Sequence, residues 1–130
     1  MKVVRVVAAI VELEGRYLVT RRQAGVHLAG LWEFPGGKVD ATETHEQALR
    51  REMAEELGVD VGVEDLCLST SHEYPDRTVT LYFYRCSLMG APAPQMGQEM
   101  RWATREDLRA LEFPPADRDL IALLTDPSVS

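Results

Sequence analysis

Gly36-Gly37-Lys38-Val39-Asp40-Ala41-Thr42-Glu43 and, seven residues later, Arg51-Glu52-Met53-Ala54-Glu55-Glu56-Leu57-Gly58-Val59 form the stretch on which the reading of this chain turns. Pro35-Gly36-Gly37 marks a tight turn. Residues 44–57 read as a helix, because Thr44 with Gln47 fits a capping box and Gly58 supplies a left-handed stop. Placed at about 100° per residue from Glu52, Glu55 falls at about −60° and Glu56 at about +40°. Leu49, Met53 and Leu57 fall at about 60°, 100° and 140° on the same wheel. One edge of the helix is therefore apolar, and the adjoining edge presents three carboxylates.

Like charges one helical turn apart repel and mildly destabilise a helix. Hard divalent cations take oxygen ligands, and Mg²⁺ commonly binds a few carboxylates together with substrate phosphates. A bound cation would convert the repulsion among Glu52, Glu55 and Glu56 into attraction. The plain alternative is a solvated acidic face in a chain that holds 21 acidic residues. That alternative leaves unexplained both the Gly36-Gly37 turn and the position of Arg51 among the acids.

Working outward, residues 3–11 (VVRVVAAIV) and 16–21 (RYLVTR) read as strands joined by a Glu14-Gly15 turn. Residues 23–42 are loop-rich. Beyond the helix, residues 66–73 and 77–86 alternate as strands around the turn Tyr74-Pro75-Asp76-Arg77. A loop rich in Pro and Gly at 90–97 leads to a short strand at 99–103. Helical patterns at 104–111 and 116–125 follow, separated by Phe113-Pro114-Pro115. Strands mixed with a few helices predict an α/β sandwich on one mixed sheet, in a single domain over residues 1–130.

The 130 residues are 45% hydrophobic and 27% charged, a balance suited to one domain with a real core. The formal charge of −7 repels a phosphate backbone, so duplex nucleic acid is not expected as a partner. A polyanionic small substrate then needs local positive charge or bound metal to offset that field. The opening MKVVRVVAAIVELEG is broken by Arg5, Glu12 and Glu14, and reads as a first strand in place of a signal peptide. No apolar run approaches the roughly 18–20 residues that span a bilayer, so the expectation is a cytoplasmic protein with no membrane partner. Cys67 and Cys86 match no metal-ligand spacing and read as small buried thiols.

From Gly37 the sequence runs through five residues to Glu43, seven more to Arg51-Glu52-Met53, then Glu55-Glu56 and Gly58-Val59. This spacing resembles the Nudix box at all of its defined positions. At average residue usage, seven fixed positions coincide in about one window in 10⁸. Thr20-Arg21-Arg22, Glu33-Phe34-Pro35-Gly36-Gly37-Lys38, Tyr74-Pro75-Asp76-Arg77 and Phe113-Pro114-Pro115-Ala116 further resemble the MutT branch, which hydrolyses 8-oxo-dGTP. The resemblance implies a Nudix-type α/β/α sandwich on a mixed sheet, with a loop–helix–loop that holds Mg²⁺, or Mn²⁺, beside a pyrophosphate.

Carried over by position, Glu52, Glu55, Glu56 and the carbonyl of Gly36 are similar to metal ligands. Arg51 and Glu43 resemble supports for them, and Glu52 resembles a general base. The implied chemistry is water attack on phosphorus of a nucleoside triphosphate, giving a monophosphate and pyrophosphate. The implied assembly is a monomer or weak dimer. Arg22, His27, Phe34 and Arg77 match positions near the bound nucleotide.

Two departures stand out. The branch carries an acid ahead of its Gly-Gln, whereas Gln95-Met96 precede Gly97-Gln98 here and Glu99 follows, so Glu99 is the candidate in this loop. Asp117 stands where the branch has an asparagine that reads the purine edge. An amide both donates and accepts, whereas an ionised carboxylate only accepts. Aspartate suits an exocyclic amine such as cytosine N4. A related branch acting on CTP and modified cytosine nucleotides ends in a similar Pro-Ala-Asp stretch. A cytosine-nucleotide pyrophosphohydrolase is thus the alternative enzyme, and a nucleotide-binding sensor without catalysis is the alternative of another class.

Overall fold

The computed structural model describes residues 2–21 and 30–127. In chain order the strands are β1 (Lys2–Ile10), β2 (Glu12–Leu13), β3 (Arg16–Arg21), β4 (Trp32–Glu33) and β5 (Gly36–Lys38). The helix α1 (His45–Leu57) follows, then β6 (Val61–Tyr74), β7 (Arg77–Leu88) and β8 (Glu99–Ala103). The chain closes with α2 (Arg105–Ala110), a 3-10 turn (Pro115–Asp117) and α3 (Arg118–Thr125).

β1 is apolar at successive positions because it is buried on both faces. Val7, Ala9 and Val11 pack with Leu49, Met53 and Leu57 of α1. Ala8 and Ile10 point the other way, into a second core with Phe34, Phe83, Leu108 and Leu120. The strand lies inside a four-stranded sheet of order β5-β1-β7-β6. Its pairing with β7 is parallel and its pairing with β5 is antiparallel, so the sheet is mixed. Helix α1 covers one face, and the C-terminal 3-10 turn and helices cover the other.

The structure departs from the single predicted sheet in one respect. β2, β3, β4 and β8 form a second, antiparallel sheet, with β3 paired to both β4 and β8. Strands of two and three residues inside residues 32–38 lie in the stretch that the sequence marks only as loop. They are held by pairing across the sheet, which a local pattern does not register. The Glu14-Gly15 turn is as predicted, with φ of 53° and 76° in the left-handed region that suits a two-residue hairpin.

Local chemistry sets the ends of α1. Thr44 accepts from the Gln47 backbone N–H at 3.1 Å, and Gln47 accepts from the Thr44 N–H at 2.9 Å. Gly58 ends the helix at φ 60°, donating to the Ala54 carbonyl. Cys86 is buried, and burial pushes its thiol up to about 12, which fits an inert apolar role. No helix among the described residues is long and apolar enough to cross a membrane.

Candidate active site

The glycines come first, because they allow the loop and helix to meet. A Cβ on Gly36 would lie 2.0 Å from the Val7 carbonyl oxygen, so only glycine lets β5 run this close to β1. A Cβ on Gly37 would lie 2.5 Å from the carboxyl carbon of Glu52. The missing side chain at Gly37 is thus the space that the Glu52 carboxylate fills.

Arg51 ties this loop to α1. Its Nε and Nη2 donate to the two carboxylate oxygens of Glu43 at 2.6 and 2.9 Å, a two-pronged pairing. Nη2 also donates to the Lys38 carbonyl at 3.0 Å, and Nη1 to Glu52 at 2.8 Å and to Glu55 at 3.4 Å. The Asp40 backbone N–H donates to Glu43 at 2.9 Å. Arg51 first, and that N–H second, hold the Glu43 carboxyl down at about 2. A permanently charged guanidinium therefore sits on the outer side of the acids and fixes their placement.

The inner side is different. Glu56 is half-buried, and its Oε2 accepts from the Gly36 N–H at 3.1 Å. Burial pushes its carboxyl up to about 8, and the charges of Glu52 and Glu33 push the same way. Burial also raises Glu52, against the pull of Arg51. Glu55 is turned outward, with 58% of its side chain exposed.

Glu56 opens into a cleft of about 510 Å³ between the mixed sheet and the C-terminal turn. Gly36 and Gly37 lie at the same end. Phe34, Val79, Leu81 and Phe83 make its apolar wall, with Phe34 stacked on Phe113 at 5.6 Å. Asp117 is buried at the end of the 3-10 turn and lines the same cleft, as do Glu33, His72 and Tyr74.

The structure thus brings Gly36, Glu56, Phe34 and Asp117 to one cleft, with Glu52 packed behind Gly37. Arg77 opens β7 at the rim, its guanidinium carbon 5.5 Å from the centre of the Tyr74 ring. Glu99 does not join them. It pairs with Arg21 at 3.3 Å and borders a separate hollow with Trp32 and Arg101. Arg22 and His27 lie outside the described residues. The sequence reading missed Glu33, His72 and Tyr74 as cleft residues. The signal for the last two was the two-residue period of β6, which puts both on one face.

Among the described residues no three acid, histidine or cysteine side chains converge closely enough to enclose an ion. The donor set nevertheless fits a hard divalent cation. Glu52 and Glu56 are crowded, partly desolvated carboxylates beside a glycine cradle, and among the described residues the cation that offsets their charge is Arg51, on the outer side next to Glu52.

The sequence profile of the NUDIX domain family matches residues 6–123. The chain belongs to the Nudix family. It is 41% identical over 122 residues to a Haemophilus influenzae 8-oxo-dGTP diphosphatase, covering 92% of this chain and 90% of that protein. It is 38% identical over 121 residues to the Escherichia coli CTP pyrophosphohydrolase, covering 92% and 88%. Among solved Nudix-like structures, the solution structure of the Escherichia coli ORF135 protein superposes with a TM-score of 0.83. That pair shares 38% identity, covering 95% of this chain and 87% of the other. The mixed sheet flanked by helices is the fold of these family structures.

Proposed function

We propose that this chain hydrolyses 8-oxo-dGTP to 8-oxo-dGMP and pyrophosphate, with Mg²⁺ held at Glu52 and Glu56. The observation that carries this reading is one cleft lined by unlike groups. Glu56 with Gly36 and Gly37 borders it, and so do an apolar wall of Phe34, Val79, Leu81 and Phe83 and the buried Asp117; Glu52 packs against Gly37 beside it. A divalent cation bound there would neutralise phosphate charge and lower the pKa of a bound water. Glu55 can complete the set by releasing Arg51, to which it is joined by a 3.4 Å hydrogen bond, longer than those to Glu43 and Glu52.

The chain's own residues supply orientation. Arg51 and Glu43 hold the loop against the helix, so that Glu52 lies beside Gly37. Glu52 is the general base of this reading where it is not bound to the cation, since a cation on its oxygens would lower its basicity. Phe34 offers a ring edge or face to the base, and Asp117 a hydrogen-bond acceptor to its edge. Arg77, beside the cleft residue Tyr74, would meet the nucleotide from outside, and Arg22 is a nucleotide contact of this reading by its sequence position alone.

A second reading has its own support. Asp117 suits the exocyclic amine of cytosine, and the relative at 38% identity is named for CTP. Pyrophosphate release measured across 8-oxo-dGTP, dGTP, CTP and 5-methyl-dCTP separates the two. A chain active on none of them, with nucleotide binding intact, is a sensor and not an enzyme.

A further inference from the structure

We infer that Gln98 is a positioning residue for Glu56, acting through the Glu56 backbone carbonyl. The inference rests on the reading of Glu56 as a cation ligand. The last turn of any helix leaves carbonyls without partners inside the helix. In α1 two of these are taken by the segment 93–98. The Leu57 carbonyl accepts from the Ala93 N–H at 2.9 Å. The Glu56 carbonyl accepts twice, from the Gln95 N–H at 2.9 Å and from the Gln98 side-chain Nε2 at 2.8 Å. The other end of the Gln98 amide accepts from the Met96 N–H at 2.9 Å.

Gln98 is one of four buried polar residues among the described residues, with 9% of its surface exposed. Both ends of its amide are used, so its orientation is fixed. Glu56 is thereby held from two sides: its carboxylate by the Gly36 N–H within the cleft, its carbonyl by Gln98 behind it. Of Glu43, Glu52, Glu55 and Glu56 it alone lines the cleft. A carboxylate that must stay beside β5 while desolvated and repelled by its neighbours depends on a fixed backbone. The loop thus supplies an amide clamp on the turn that carries Glu56.

The test is Mn²⁺ binding to the substrate-free protein, read by electron paramagnetic resonance, together with kcat and KM for the nucleotide. Gln98→Met keeps the shape and removes both hydrogen bonds. The Gln95 N–H still serves the Glu56 carbonyl, so no buried acceptor is orphaned. We expect its half-saturating Mn²⁺ to rise about 10-fold or more and kcat to fall similarly. KM at saturating metal should stay within about twofold. Gln98→Asn, which keeps an amide one methylene shorter, should lie between the two. Mn²⁺ binding unchanged in both variants overturns the inference, even if their melting temperatures drop. Loss of folding in both overturns it too, since Gln98 would then support the fold and not the ligand. Glu56→Gln is the separate control. If it binds Mn²⁺ and turns over normally, the reading of Glu56 itself fails, whatever Gln98 does.

Discussion

Gly36 and Gly37 are neighbours with different reasons for being glycine, and the difference is measurable. A Cβ at Gly36 would meet backbone, the Val7 carbonyl at 2.0 Å, which cannot step aside without breaking the β1–β5 pairing. Gly36→Ala should therefore destabilise the fold by about 2–3 kcal/mol or more, read by chemical denaturation. A Cβ at Gly37 would meet the end of the Glu52 side chain, which can swing. Gly37→Ala should lower kcat by at least about 10-fold while costing much less stability than its neighbour. Equal losses of stability in the two variants would count against Glu52 as the thing that Gly37 makes room for. Glu56 carries a different signature. The unfolded chain releases its proton near 4.5 and the folded chain near 8, because burial favours the neutral form. Between those values the folded state binds more protons. Metal-free stability should thus fall as pH rises from about 4.5 to 8 and level off above, on the order of 3 kcal/mol in all. Glu56→Gln should flatten that slope, and should lose most activity while staying folded.

At the scale of elements, the loop and α1 act as one unit through Arg51 and Glu43. Glu43 is held at about 2 against 4.5 when unfolded, so its contribution is fully present above about 4.5 and is lost as pH falls toward 2. Arg51→Lys keeps the charge but cannot form the two-pronged pairing. It should reduce kcat by about 10-fold or more and remove part of the stability change between pH 4.5 and 2, followed by acid denaturation. An Arg51→Lys enzyme with unaltered turnover would reduce Arg51 to a surface cation. The legibility of the sequence follows the same line between local and non-local causes. The ends of α1, with Thr44, Gln47 and Gly58, are written in local residues, and the apolar stripe Leu49-Met53-Leu57 is its buried face. β6 begins at Val61, five residues before its predicted start, because partner β7 carries the pairing through a register that slips between Val63 and Leu68. The Gly36 strand has no pattern of its own; β3 and β8 read as strands, but that they pair apart from the mixed sheet is set by non-local register. Glu99 was singled out by its place after Gly97-Gln98, but strand register sets it opposite Arg21, and sequence proximity to a motif does not encode register.

On the scale of the whole molecule, the cleft lies where the mixed sheet meets the C-terminal turn, so residues 33–56, β7 and residues 114–117 all contribute to it. On the proposed reading α1 and β5 would set the chemistry, and the 3-10 turn at Pro115–Asp117, which brings Asp117 to the cleft, would set what is read. In 8-oxoguanine N7 is a donor, and Asp117 can accept that proton; in guanine N7 is an acceptor and would face the carboxylate repelled. Discrimination of 8-oxo-dGTP over dGTP should then be worth roughly 3–5 kcal/mol, or about two to four decades in kcat/KM. Asp117→Asn should keep or improve 8-oxo-dGTP hydrolysis, because an amide can also donate to O6. Asp117→Ala should lose discrimination more than rate, because Glu52 and Glu56 are untouched. The cytosine reading inverts the pattern. If CTP or 5-methyl-dCTP gives the higher kcat/KM, and Asp117→Asn weakens that preference by placing a donor opposite the N4 amine, the cleft was built for cytosine.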